Sequence, residues 1–188
     1  MYKDYGIYIL CGGNSSRMGK DKATFKLNEK TFLEHIRVNL HLKKNDVILV
    51  SDKLAHRLDG YHTIKDVDEN CGPLGGIVSA LNHSTKKMNL ILSCDIPFID
   101  YESLKFIENN INLNAHVNIP VVDGRLMPLI GFYSKESLGV FQNQLKNKIL
   151  KLLLALDKSE VNKITIPTHL HKNFSNINSL EDLKKMTQ

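Results

Sequence analysis

The sequence predicts an α/β fold of three layers around a mainly parallel central sheet. Three observations predict it. Short apolar runs alternate with helical stretches along the chain, the signature of βαβ units. The runs are continuously apolar, as strands covered on both faces must be. Polar, glycine-rich segments follow the first run and open a later helix, near the strand ends where such sheets bind ligands.

Tyr5–Leu10 (Tyr-Gly-Ile-Tyr-Ile-Leu) is the first buried strand, and Gly12, Gly13 and Gly19 frame the polar loop after it. Thr31–Leu42 has Phe32, Ile36 and Leu40 on one side and predicts a helix. Asp46–Ser51 is a second buried strand and His62–Lys65 a short third one. Gly72-Pro73-Leu74-Gly75-Gly76 opens a helix running to about His83. Asn89–Cys94 is the next buried strand, ending in Asp95, and Tyr101–Asn110 is a helix. Val117–Val122 and Leu129–Tyr133 are strands flanking the Gly124 turn. Helices follow at about Lys135–Gln144 and Lys148–Leu156, then a late strand at Lys163–Pro167 and a short helix at Leu180–Met186.

With 188 residues the chain suits one domain, expected over 1–188. A composition 42% hydrophobic and 24% charged excludes a disordered chain. The longest apolar run, Ile149–Leu156, is broken by Lys151 and too short to span a bilayer. No membrane association is expected. The N-terminal residues lack a signal-peptide core, so a cytoplasmic location is expected. Cys11, Cys71 and Cys94 form no CxxC pair and read as reduced, structural thiols rather than a zinc site. The net charge of +5 favours anionic partners. The lysines and arginines are scattered rather than interleaved with aromatics, so nucleic acid is not expected as a partner.

The strand-end rule directs attention to the residues after Leu10, Val50 and Cys94. The first reads Leu10-Cys11-Gly12-Gly13-Asn14-Ser15-Ser16-Arg17-Met18-Gly19-Lys20-Asp21-Lys22. Glycines let backbone N–H groups converge on an anion, and Arg17 and Lys22 add positive charge. A triphosphate is the expected guest. Neither the Walker A spacing nor the dinucleotide GxGxxG spacing is met, because Lys20 is followed by Asp21 and Gly13 by Asn14.

This stretch resembles the LAGGxSxRMGxDK signature of nucleotidyltransferases, and its Met-Gly-x-Asp-Lys ending is most similar to molybdenum cofactor guanylyltransferases. Cys11 replaces the usual alanine. The resemblance implies a Rossmann-like nucleotidyltransferase domain, with nucleotide contacts at Leu10, Cys11, Gly12, Gly13 and Lys22. Asp66 with Gly72-Pro73-Leu74-Gly75-Gly76 resembles the family's D…GPLxGI segment, implying nucleotide contacts at Asp66 and Gly76. A carboxylate can accept from guanine's N1–H and N2–H, which gives Asp66 a reason to favour guanine. Ser93-Cys94-Asp95-Ile96-Pro97-Phe98 resembles the family's CDxPF/Y motif, whose Asp holds magnesium. By itself, Asp95 before Pro97 reads as a turn cap rather than a metal ligand; the resemblance and the glycine-rich loop upstream reverse that. Gly124-Arg125 with Pro128-Leu129 resembles GRxxPLxGxY, and Arg125 is a candidate for a second anionic ligand. Phe174-Ser175-Asn176-Ile177-Asn178 resembles the family's close, in which two asparagines serve the acceptor. Asn176 and Asn178 alternate and so share one face of an extended segment, and Ser179 with Asp182 forms a helix N-cap.

The resemblance implies transfer of GMP from GTP to molybdenum-bearing molybdopterin. Arg17, Lys22 and Asp95 would act in catalysis, Mg²⁺ would sit on Asp95, and Asn176 and Asn178 would position the acceptor. Maturation proteins that supply or receive the cofactor are the expected macromolecular partners. A cytidylyltransferase for the same acceptor, a sugar- or polyol-phosphate nucleotidyltransferase and a non-catalytic molybdopterin carrier are the alternatives. None of the eight histidines is assigned a catalytic role, and His169 and His171 read as an exposed loop pair.

Overall fold

The computed structural model describes residues 4–11, 25–51, 60–66 and 71–187. The glycine-rich loop with Gly12, Gly13, Arg17 and Lys22 lies outside the described residues.

The strands of the main sheet are β1 (Tyr5–Leu10), β4 (Ile48–Val50), β5 (His62–Ile64), β6 (Met88–Ser93), β7 (Val117–Val122), β8 (Arg125–Leu126), β9 (Ile130–Ser134) and β10 (Val161–Thr165). They lie in the order β10-β7-β9-β6-β1-β4-β5, with β8 added to β7. A separate two-stranded ribbon pairs β2 (Lys26–Leu27) with β3 (Lys30–Thr31). β5, β4, β1 and β6 run parallel. β9 is antiparallel to both β6 and β7, so β7 and its parallel neighbour β10 regain the direction of β6. The predicted mainly parallel α/β sheet is the one observed.

The helices are α1 (Phe32–Asn39), α2 (Gly72–His83), α3 (Tyr101–Asn109), α4 (Leu138–Lys146), α5 (Leu152–Leu156) and α6 (Leu180–Thr187). The side-chain period of a strand divides the core into two layers. Ile7, Ile9 and Cys11 of the first strand and its end meet Leu33 and Ile36 of α1 and Leu104 and Ile107 of α3. Tyr8 and Leu10 meet Leu74, Ile77 and Leu81 of α2, with Phe141 of α4 and Leu156 of α5 further along that face. Helices on both faces follow from right-handed crossovers taken in opposite directions from β1. The chain moves outward through β4 and β5, then returns through α2 to place β6 on the other side of β1. Strand order therefore reverses between β1 and β6. Among the described residues, no helix is long and apolar enough to cross a membrane.

Several boundaries differ from the sequence reading, for local reasons. α1 stops at Asn39 rather than Leu42 because His41 adopts φ 56°. The Leu42 amide bonds back to the Arg37 carbonyl at 2.9 Å and the His41 amide to Val38 at 3.1 Å, a Schellman closure without glycine. Lys148 (φ 56°) ends α4 in the same way, and α5 begins only at Leu152 rather than Lys148. Lys135–Ser137 form a 3-10 turn, so α4 starts later than predicted. β10 begins at Val161, earlier than predicted. Asp123 (φ 49°) and Gly124 (φ 73°) make a two-residue hairpin turn, with Val122 opposite Arg125. Its second strand is therefore the short β8, not the strand predicted from Leu129. Pro128, lacking an N–H, separates β8 from β9, which is inserted between β6 and β7 and pairs with both.

Candidate functional site

The switch point brings the ends of β1, β4 and β6 together. Leu10 is in register with Val50 on one side and Ser93 on the other. The Cys11 amide continues the ladder to the Val50 carbonyl at 2.9 Å, and the Cys94 amide reaches the Leu10 carbonyl at 3.2 Å. Cys11 and Cys94 are buried in the α1–α3 layer. Asp95 follows at once, half-buried, in the turn that leaves the sheet. Three residues singled out in the sequence, Leu10, Cys11 and Asp95, are thus set side by side by strand register.

Asp66 lies just beyond β5, and its carboxylate faces the first turns of α2. The Ser79 hydroxyl lies 2.8 Å from Asp66 Oδ1 and 2.9 Å from the Gly75 carbonyl. Gly75 is required here, since a Cβ would lie 3.1 Å from Asp66 Oδ1 and 2.9 Å from the Cys71 Cβ. At Gly76 a Cβ would sit 3.1 Å from Leu10 Cδ2. The glycine pair thus brings the start of α2 close against both Asp66 and the end of β1.

The C-terminal segment completes the arrangement. After a 3-10 stretch at Thr168–Phe174, anchored by buried Leu170 and Phe174, the chain runs extended past Asp95. The Ile177 amide donates to the Asp95 carbonyl at 2.8 Å. Ile177 is 0% exposed, whereas Asn176 and Asn178 on either side of it are exposed, as their alternation predicts. The Asp182 amide donates to Ser179 Oγ at 3.1 Å, and the Asn178 amide donates to Asp182 Oδ2 at 2.9 Å. The predicted N-cap is present.

Beside this segment lies a cavity of about 700 Å³, walled by the β7–β8 hairpin, the 3-10 stretch and α6. Arg125 and Asn176 line it, together with Asp123, His171, Met127 and Phe174. His171 is held at both ring nitrogens, with Nδ1 3.0 Å from Asp123 Oδ1 and Nε2 2.8 Å from the Ile166 carbonyl. Its side chain is 18% exposed, so it is not the open-loop residue that the sequence suggests. Asp123 and His171 were not readable as partners, because hairpin and 3-10 turn meet only in the fold. Among the described residues, no group of three or more His, Cys, Asp or Glu side chains is placed to hold a metal ion.

Comparison with known proteins bears on this geometry. The family model described as the MobA-like NTP transferase domain matches residues 7–161. The chain belongs to the MobA-like NTP transferase family. A Flavobacterium johnsoniae protein named "Probable molybdenum cofactor guanylyltransferase" is 34% identical over 179 residues, covering 95% of this chain and 94% of its own length. A Clostridium perfringens protein of the same name is 31% identical over 186 residues, covering 95% and 93%. The crystal structure of molybdopterin-guanine dinucleotide biosynthesis protein A from Archaeoglobus fulgidus is similar with a TM-score of 0.78. At 24% identity over 96% of this chain and 95% of that one, it supports the fold. As a MobA-like NTP transferase the chain is a nucleotidyltransferase. Leu10, Cys11, Asp66, Gly76 and Asp95 fall within the family match, whereas His171, Asn176 and Asn178 lie beyond it.

Proposed function

We propose that this MobA-like NTP transferase moves GMP from GTP onto the terminal phosphate of molybdenum-bearing molybdopterin. The names of relatives covering nearly the whole chain support guanylyl transfer over the cytidylyl, sugar-phosphate and carrier alternatives. The observation that carries the reading is the Ile177–Asp95 backbone bond. It joins the asparagine-bearing segment to the turn carrying the strand-end carboxylate, so donor and acceptor groups can meet there.

In this reading an oxygen of the acceptor phosphate attacks the α-phosphorus of GTP. The bond from the α-phosphorus to the bridging oxygen breaks, and pyrophosphate leaves. The acceptor is already an anion, so no general base is required, and catalysis rests on positioning and charge. Backbone N–H groups at Gly12 and Gly13 hold phosphates beside Leu10 and Cys11, and Arg17 and Lys22 offset charge developing toward pyrophosphate. Asp66, with the α2 start at Gly76, contacts the nucleoside and favours guanine. Asn176 and Asn178 position the pterin.

Asp95 fits Mg²⁺. It offers a hard oxygen donor at a strand end, and Mg²⁺ in nucleotide sites takes one or two carboxylates and completes its shell with phosphate oxygens and water. Bound there, Mg²⁺ would supply charge neutralisation at the α-phosphate. A cytoplasmic location and exchange of cofactor with maturation proteins complete the reading.

Calorimetry with GTP, CTP and ATP, with and without Mg²⁺, tests it. GTP is expected to bind with preference, and CTP preference would transfer the assignment to cytidylyl transfer. Asp95→Ala should abolish turnover with the circular dichroism spectrum unchanged, and persistent turnover would refute the metal role.

A further inference from the structure

The geometry points to Asp123 as the carboxylate that reads the paired N–H donors of the acceptor's aminopyrimidinone ring, with His171 as its positioning residue. The inference rests on the proposed pterin acceptor and adds a specificity-determining group, Asp123, at the turn before Gly124-Arg125, with its partner His171 beyond the family match. An aspartate is common at the first position of a two-residue turn, which accounts for its residue type. Turn preference does not account for what holds its side chain.

Asp123 is 77% exposed at the side chain, and an exposed carboxylate ordinarily samples several rotamers. Here one oxygen is met by His171 Nδ1 at 3.0 Å. The ring itself is fixed, because Nε2 is engaged with the Ile166 carbonyl at 2.8 Å and the side chain is largely covered. The left-handed backbone at Asp123 and the Val122–Arg125 pairing fix the other end. The carboxylate is therefore presented at the edge of the cavity in one orientation.

The rest of the lining describes the guest. Met127, Phe174 and Met186 supply apolar wall, Arg125 a cation two residues from Asp123, and Asn176 an amide. Apolar walls with a few convergent polar groups suit a flat heterocycle. A 2-amino-4-oxopyrimidine edge presents two adjacent N–H donors, and an ionised carboxylate accepts both, each oxygen having two lone pairs. Arg125 is placed for an anionic substituent on the same molecule. Pterin and guanine share this edge. The cavity lies on the C-terminal side, with Asn176, and away from Asp66, which favours pterin.

The test is fluorescence titration of the full chain at neutral pH with pterin (2-amino-4-oxopteridine) and with lumazine, the dioxo ring lacking the amino donor. The wild-type protein should bind pterin about tenfold more tightly than lumazine, the value of one charge-assisted hydrogen bond. Asp123→Asn, which keeps the size and tolerates the left-handed backbone, should bind both rings equally. His171→Gln should narrow the preference several-fold, and His171→Asn, too short to reach both partners, should narrow it further. Retention of the preference in Asp123→Asn overturns the proposal, as does its absence in the wild-type protein. Displacement of bound pterin by guanosine at concentrations near pterin's own dissociation constant would give the cavity to the nucleotide base and also overturn it. GTP calorimetry on Asp123→Asn separates the two readings. Unchanged GTP affinity is expected, and failure of the wild-type protein to bind GTP would sink the guanylyltransferase reading while leaving the pterin preference intact.

Discussion

Ile177→Ala tests whether the C-terminal segment is docked by one buried side chain and one backbone bond. Ile177 is fully buried, and its amide donates to the Asp95 carbonyl at 2.8 Å. Truncating a buried isoleucine to alanine costs about 2–5 kcal/mol. The segment can detach without unfolding the sheet, so the loss should fall on the local docking equilibrium. Even the lower figure, about 2 kcal/mol, shifts that equilibrium roughly 30-fold. Hydrogen exchange at the residue 177 amide reads it directly, and its protection should fall by about that factor. Amides of β1 and β6 should keep theirs. The KM for the acceptor should rise as the docked fraction falls, with GTP affinity unchanged. Unaltered protection at residue 177, or an equal loss in β6, would refute local docking. A parallel loss of GTP affinity would show that the segment also serves the nucleotide.

Three other perturbations follow from individual contacts. Ser79→Ala removes the hydroxyl beside Asp66 Oδ1, and GTP affinity should weaken by roughly fivefold, about 1 kcal/mol, by calorimetry. Unchanged affinity would mean that Ser79 serves only its helix. Gly131→Ala would put a Cβ 2.6 Å from the Asn118 carbonyl oxygen in the middle of β9, and the melting temperature should fall by an amount equivalent to about 1–3 kcal/mol. A wild-type melting curve would show that β7 and β9 can separate freely. Glu34 closes the capping box of α1, and the Thr31 amide holds its carboxyl below the ordinary glutamate value of 4.5. A depressed folded value gives stability that is present above the unfolded value and lost as pH falls through the folded one. Partial exposure limits this to about 0.5 kcal/mol. Glu34→Gln should flatten the acid limb of the stability profile below that range, and an unchanged limb would refute the assignment.

The strands at Tyr5–Leu10 and Met88–Ser93 were legible because both faces are covered, which leaves an unbroken apolar run. The switch-point rule pointed to the residues after Leu10, Val50 and Cys94, and the pairing of β1 with β4 and β6 brings those strand ends together; the register itself is seen only in the fold. The ends of α1 and α4 were not legible. His41 and Lys148 take the left-handed position that glycine usually signals, and a periodic pattern runs straight through them. The ribbon at Lys26–Thr31 was missed for the opposite reason, since two-residue polar strands carry no apolar period. In the site, alternation predicted that Asn176 and Asn178 share a face. That they flank a bond to Asp95 is a tertiary fact, because backbone amides leave no trace in residue type.

In the proposed reading, the inserted strand β9 sets the spacing between the two ligands. Neighbouring strands lie roughly 4.8 Å apart, so one intervening strand separates β6 from β7 by about 10 Å. Because β9 is antiparallel to both, β6 and β7 still point the same way, and Asp95 and the Asp123 turn emerge at one edge of the sheet. A fully parallel order would have needed a crossover helix in that place, lying over a face of the sheet. The antiparallel insertion needs only the short hairpin and the bend at Pro128, which leave the edge open for the cavity. What spans the gap is then the extended segment at Ile177. It bonds to the Asp95 carbonyl on one side, and its neighbour Asn176 lines the cavity on the other. The Asp95 turn and the cavity are thereby connected through a single peptide, and in the proposed reading this links donor to acceptor across a gap set by sheet geometry.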